Sequence, residues 1–228
     1  MEAIKQQDLD IQQNTRTQLL DAAEFLFAEH GIDATSLRAI TSQADANLAA
    51  VHYYFNSKEG LVQAVFARRF DPLNEDRLHR LDAIEQAHGG SPPPVEEIIE
   101  AFIAPALKRL RKHESKAFMK LMGRVYGNPS EMQKCMNERF LNVVQRFIDA
   151  FQRALPNLSH EEVLSRFKFL VGAMVIILID PMSDENAPSL ARETHQNLIS
   201  NETPLCHVVT FLSAGMRAPS SAAVSSEE

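Results

Sequence analysis

The side chains of this chain best suited to chemistry stand close together. Between Thr35 and Leu61 lie Arg38, His52, Tyr53, Tyr54 and Lys58, interleaved with the hydroxyls of Thr35 and Ser36 and the amide of Asn47. Cations, hydroxyls, amides and aromatics in this mixture match the groups that bond phosphate oxygens and base edges. Reactive constellations are missing elsewhere. The sequence holds no Gly-rich phosphate loop, no Gly-x-Ser-x-Gly elbow and no pair of Cys-x-x-Cys motifs. His160-Glu161-Glu162 opens like a zinc-protease pattern, but Leu164 occupies the position of the second histidine. It reads as acidic polarity at a helix start after Ser159. His79, His88, His113, His195 and His207 lack ligand spacing, and Cys206-His207 is an isolated pair. The expectation is no catalytic residue, no metal and no cofactor.

Those donors must be held by helices. Residues 35 to 55 read as a short helix, a turn of three or four residues and a second short helix. This is the layout of a helix-turn-helix, which many helical hairpins share. Upstream, Leu19, Ala23, Leu26 and Phe27 mark a helix from Thr15 that Gly31 stops in left-handed geometry. Leu37, Ile40 and Ala44 give the next helix its apolar side, with Thr35 or Ser36 as its cap. Asn47 caps the helix from Leu48 to about Tyr54, which turns Val51 and Phe55 inward. Ser57 caps a fourth helix that Pro72 ends or kinks.

The remainder is helical as well. Expected segments are Leu73 to about Gln86, Val95 to His113 with a kink at Pro105, Glu114 to Tyr126, Ser130 to Leu155 and Ser159 to Ile179. A polar loop from Asp180 to Pro188, a weaker helix from Ser189 to Ile199 and a last helix from Leu205 to Met216 follow. No stretch alternates with period two, so the fold class is all-α. The division is a mobile tail over 1–13, a helix-turn-helix head over 14–70, a helical body over 71–217 and a disordered tail over 218–228.

Composition bounds the class of function. With 228 residues and 45% hydrophobic content the chain can bury a core, and eight glycines are few for a barrel or a doubly wound nucleotide fold. Twenty-three Lys plus Arg against 30 Asp plus Glu leave a net charge of −7, which excludes a coat that binds nucleic acid by bulk charge. Two separated cysteines, Cys135 and Cys206, suit a reduced interior. The amino terminus carries no apolar signal, and the run Leu170 to Ile179 is about half a membrane span. A soluble cytoplasmic protein is expected.

The run Thr35 to Leu61, TSLRAITSQADANLAAVHYYFNSKEGL, resembles the DNA-binding head of the TetR family of bacterial transcriptional regulators. The match rests on Thr35-Ser36-Leu37-Arg38, the cluster His52-Tyr53-Tyr54-Phe55 and the cap Ser57-Lys58-Glu59, and extends from Thr15 to about Arg69. Asp45 stands where the family usually has Gly, and Asp tolerates left-handed backbone. His52 stands where the family more often has Tyr, and Tyr53 where it often has His. The resemblance implies that the second short helix enters the major groove by its amino end, with Leu48, Ala49 and Ala50 at base edges and Asn47 among the DNA-binding residues. His52 would bond a base or phosphate, and Arg38 a guanine or phosphate. Thr35, Ser36, Tyr53, Tyr54 and Lys58 complete the expected DNA contacts, chiefly to phosphates. Alternatively, Tyr53, Tyr54 and Phe55 are the aromatic core of a small domain.

From Asn14 to Phe70 five bases (Arg16, Arg38, Lys58, Arg68 and Arg69) meet six acids (Asp21, Glu24, Glu29, Asp33, Asp45 and Glu59). Between Ser36 and Lys58 only Asp45 is acidic. Few cations per head imply a modest salt slope and a dependence on two heads reading an inverted repeat.

In the family that this chain resembles, the body dimerises and binds an effector. Phe167 to Ile179 is apolar nearly all round. It must be covered on every side, within one monomer or by a symmetry mate. The expected dimer face is Leu170, Gly172, Ala173, Val175, Ile176 and Ile179 with Val208, Phe211 and Leu212. Phe118, Met119, Met122, Arg124, Tyr126, Phe140, Phe147, Phe151, Phe167 and Met174 either line an effector pocket or are plain core. Arg124 or Arg166 would receive an acidic head group, or lie on the surface. The resemblance points to a ligand-responsive repressor of double-stranded operator DNA, released by a small apolar or amphipathic effector such as a fatty acid or acyl-CoA. Its alternatives are a small helical enzyme acting on a lipid or thioester, and a helical interaction module.

Overall fold

The computed structural model of the chain describes residues 2–111, 116–135, 137–179 and 203–220. These form ten helices: α1 (Glu2–His30), α2 (Leu37–Gln43), α3 (Leu48–Phe55), α4 (Lys58–Ala87), α5 (Val95–Arg111), α6 (Lys116–Tyr126), α7 (Pro129–Cys135), α8 (Glu138–Ala154), α9 (His160–Ile179) and α10 (Thr203–Met216). No strand occurs among the described residues, as the absent period-two pattern requires. Nor is any helix there long and apolar enough to cross a membrane. The expected loop 180–188, the weaker helix 189–199 and residues 221–228 lie outside the described residues.

Three boundaries differ from the sequence reading. The expected tail 1–13 belongs to α1, which starts at Glu2; the segment holds no Gly or Pro and is rich in good helix formers. Pro72 does not end the fourth helix but sits inside α4. Proline removes one helical N–H and crowds the preceding turn, a cost opposed here by burial of Phe66 before it and Leu73 after it. The helix expected over 130–155 is two, α7 ending at Cys135 and α8 starting at Glu138.

The chain divides into two compact units, Met1–Asp71 with Ser115–Glu138, and Pro72–Glu114 with Arg139–Glu228. The first therefore contains α6 and α7, a discontinuity that a linear division at residue 70 does not capture. Its core joins Leu19, Phe27, Ile40, Val51, Phe55, Leu61 and Phe66 to Phe118, Leu121 and Val125 of α6. The charged residues of α1 and α4 meet beside it. Glu24 is buried and accepts from Arg68 at 2.7 Å and from Arg69 at 2.8 Å, while Arg68 also reaches Asp21 at 2.5 Å. Two of the five head cations are thus spent inside the fold. In the second unit α10 packs on α5 and α9. Phe102 of α5 is ringed by Phe147 and Phe167 at 5.0 and 5.1 Å.

Candidate nucleic-acid interface

Three local caps set the geometry of residues 35 to 60. Ser36 Oγ accepts the Ala39 N–H at 3.1 Å and opens α2. Asn47 Oδ1 accepts the Ala50 N–H at 2.8 Å and opens α3. Ser57 Oγ accepts the Gly60 N–H at 3.1 Å and opens α4. Each satisfies an N–H that the first turn of a helix leaves without a partner. The turn between α2 and α3 has Asp45 at φ +49°, the left-handed position at which the sequence showed Asp in place of Gly. Asn56 closes α3 at φ +63°.

On α3 the apolar and exposed faces separate with helical spacing. Val51 and Phe55 are buried, while Leu48, Ala49, His52 and Tyr53 face solvent, Tyr53 at 71% exposure. A tyrosine so exposed is not core, so its ring is available to a partner; it meets Tyr54 edge-on at 4.9 Å. Tyr54 and Ala50 are half-buried against the core. His52 Nδ1 lies 3.0 Å from the Asn56 carbonyl oxygen. A carbonyl only accepts, so Nδ1 carries the proton and Nε2 of the neutral ring is left to accept from a base amino group. Arg38 and Ser36 are exposed at the start of α2, and the Arg38 guanidinium has no bonded partner among the described residues.

Thr35 departs from expectation. It is 3% exposed, and its hydroxyl is directed at the carbonyls of Gly31 and Leu26, at 2.7 and 3.2 Å. The side chain ties the end of α1 to the start of α2 and does not face phosphate. Lys58 is half-buried, and its ammonium donates to the Asp33 carbonyl at 3.2 Å.

The turn after α1 is held by residues that sequence reading passed over. Glu131 of α7 is buried and accepts the Ile32 N–H at 3.2 Å. Lys134 of α7 bonds the Asp33 carboxylate. That bond, with the nearby charge of Lys58, holds the Asp33 carboxyl below its ordinary range. Lys120 of α6 does the same for Glu29, and Arg124 donates to the Glu29 carbonyl at 2.8 Å. Their signal in the sequence was only the spacing of Lys120 and Arg124, one helical turn apart, with Lys134 ten residues further on. Cys135 is buried, its thiol pushed up to about 12 by loss of solvation, and is inert.

The ten expected pocket residues fall five to each unit. In the first, Phe118 is core, 5.9 Å from Phe66 and 5.7 Å from Phe70, with Met119 and Met122 packed against the same cluster. Tyr126 is exposed, and Arg124 is occupied by Glu29. In the second, Phe147, Phe151, Phe167 and Met174 are buried and Phe140 half-buried. Arg166, the other candidate for an acidic group, is instead bonded to the carbonyls of Met216, Ala218 and Pro219. A buried Arg77 was not foreseen: it donates to the Phe102 carbonyl at 2.8 Å and lies 3.9 Å over that ring.

The expected dimer face also needs correction. Leu170, Val175 and Leu212 are buried in the second unit itself, because helical period turns them inward with Phe167 and Met174. The opposite side of α9 stays open, with Phe169 at 73% and Ile176 at 67% flanking half-buried Gly172 and Ala173. Phe211 of α10 is 75% exposed and Val208 half-buried. A Cβ at Gly172 or Gly215 would meet nothing within 4 Å. The side chain of Ile179 lies outside the described residues.

Comparison with known proteins adds to this geometry. Residues 19–65 match the family described as bacterial regulatory proteins, tetR family, and residues 100–215 match the tetracyclin repressor-like C-terminal domain. The HTH-type nicotine-responsive transcriptional repressor HdnoR of Paenarthrobacter nicotinovorans is 45% identical over 58 residues, 25% of this chain. The chain spans only 30% of that relative's length. The HTH-type transcriptional dual regulator CecR of Shigella flexneri is 27% identical over 213 residues, 88% of this chain and 92% of its own. Among solved structures, native NalD, the secondary repressor of the MexAB-OprM multidrug efflux pump in Pseudomonas aeruginosa, shares the fold with TM-score 0.56. The identity is 20%, over 90% of this chain and 97% of that one.

Proposed function

This chain belongs to the TetR family of bacterial regulatory proteins, and from that premise we propose that it is a homodimeric repressor released from an inverted-repeat operator by a small effector. Its relatives are DNA-binding transcriptional regulators and not enzymes, which removes the helical-enzyme alternative. The observation that carries the reading is the exposed face formed by Ser36 and Arg38 of the α2 start with Leu48, Ala49, His52 and Tyr53 of α3. An open helix face with a guanidinium free of protein partners among the described residues suits a major groove flanked by phosphates. Asn47 keeps its amide NH₂ for the DNA, since only its oxygen is used as a cap.

Dimerisation is supported by Phe169, Ile176 and Phe211, three large apolar side chains more than two-thirds exposed on α9 and α10. Glycine-notched, they suit a second copy of the same pair of helices. The effector is small and largely apolar or amphipathic, a fatty acid or acyl-CoA being the specific candidate. The aromatic interior of the second unit, with Met174 and Met216 buried in it, supports an apolar ligand. The protein acts in the cytoplasm, where its operator is.

The test begins with duplexes selected by the protein from a random-sequence library. Selected sites should carry an inverted repeat with half-sites about one helical turn apart or more. Arg38→Ala should weaken binding at least about fivefold and reduce the salt slope by about one per head, without shifting the melting temperature. Ligands co-purified with the protein, identified by mass spectrometry, should release the duplex. Since linkage is reciprocal, saturating DNA must weaken ligand binding by the same factor. Unchanged duplex affinity at saturating ligand refutes the effector half of the proposal.

A further inference from the structure

The turn between α1 and α2 carries an acid in contact with two lysines. Asp33 offers its backbone carbonyl to the ammonium of Lys58, at 3.2 Å, and its carboxylate to the ammonium of Lys134. Lys58 begins α4, on the side of the first unit where the cap Ser57 and the end of α3 lie. Lys134 belongs to α7, one turn after Glu131, whose buried carboxylate accepts the Ile32 N–H in the same turn. The side chains of Asp33 and Lys134 are 61% and 39% exposed, so the pair is accessible to solvent and can exchange. Glu59 is the other acid within reach of both lysines, and it is held by its own backbone N–H and by Ser57.

We propose that Lys134 is a positioning residue for DNA binding: by occupying the Asp33 carboxylate, it keeps that carboxylate from closing on Lys58, whose ammonium is then available to a phosphate. The chemistry is competition. A carboxylate beside a lysine neutralises it as a phosphate ligand, and a second lysine on the carboxylate reverses this. Glu131 fixes the backbone of the turn, so that the carbonyl and the carboxylate of Asp33 are shared between two different helices. The inference rests on the reading of Lys58 as a phosphate contact.

A mutant cycle on the full chain separates the two ideas. Binding to a fluorescein-labelled duplex selected by the wild-type protein is measured by anisotropy across a salt series for Lys58→Ala, Lys134→Ala, Lys134→Arg and the Lys58→Ala/Lys134→Ala double variant. Lys134→Ala is expected to weaken binding about threefold per head, hence about tenfold for two heads, with a smaller salt slope and an unchanged melting temperature. Lys134→Arg should bind as wild type. In the Lys58→Ala background, removal of Lys134 should have no further effect. Equal losses in both backgrounds would show Lys134 acting on DNA by itself and overturn the inference. Wild-type binding by Lys134→Ala would do so too. Wild-type binding by Lys58→Ala would sink the phosphate reading of Lys58 and the inference with it.

Discussion

Gly60 is the position at which a single methyl group should disable this protein. A Cβ built there would lie 2.0 Å from the Phe55 carbonyl oxygen and 3.1 Å from its carbon. Non-bonded carbon and oxygen do not approach within about 3 Å, so Gly60→Ala must open the contact by about 1 Å. The obstacle is backbone, and it cannot rotate away. Phe55 also accepts the Ser57 N–H at 2.7 Å, so the displacement pulls on the turn that joins α3 to α4. Overpacking of this kind costs about 1–3 kcal/mol. For a chain of this size that corresponds to a melting temperature lower by about 2–12 °C. The functional effect is larger in proportion. An eight-residue helix is about 12 Å long, so a shift of about 1 Å at one end tilts α3 by roughly 5°. Hydrogen bonds tolerate a few tenths of an ångström, and loss of one base contact costs about tenfold or more in affinity. Calorimetry with anisotropy on a selected duplex measures both. Gly127→Ala is the control, since a Cβ there has 3.5 Å to its nearest neighbour. If Gly60→Ala melts within about 1 °C of wild type and binds DNA unchanged, the steric reasoning is wrong.

Other expectations follow from single interactions. Thr35→Val keeps the volume but removes the hydroxyl bonded to Gly31 and Leu26. It should lower stability by about 1–2 kcal/mol in denaturant unfolding while leaving the salt slope of DNA binding unchanged. Glu96 is held at about 2, against 4.5 in an unfolded chain, chiefly by its bond to Arg217. Its folded value is depressed, so its contribution is present above pH 4.5 and lost as pH falls from 4.5 through 2. The side chain is 43% exposed, and screening limits the effect to below about 1 kcal/mol. Glu96→Gln should therefore melt up to about 4 °C lower than wild type at pH 6, and the gap should narrow as pH falls below 4.5 and close only below the folded value of about 2. If the proposed homodimer forms through α9 and α10, Ile176→Glu and Phe211→Glu should each leave a monomer in sedimentation analysis; a dimer persisting in both variants would place the interface elsewhere.

What the amino-acid sequence determined by itself is what short-range physics sets. Ser36, Asn47 and Ser57 cap helices within three residues of themselves, Gly31 and Asp45 take left-handed backbone, and Val51 and Phe55 share a face because the helix repeats every 3.6 residues. The head was legible for that reason, as was the family. Tertiary structure decided everything that depends on residues far apart. Thr35 looked like a phosphate donor, yet its hydroxyl is turned to the carbonyls of Gly31 and Leu26. Arg68 and Arg69 counted as head cations until Glu24, more than forty residues away, engaged them. Phe118 and Lys134 belonged by position to the body, but packing placed α6 and α7 in the unit with the head. On α9, a strip apolar all round gave no clue as to which side is open, because hydrophobicity has no direction. The neighbours that buried Leu170 and left Ile176 exposed chose the side.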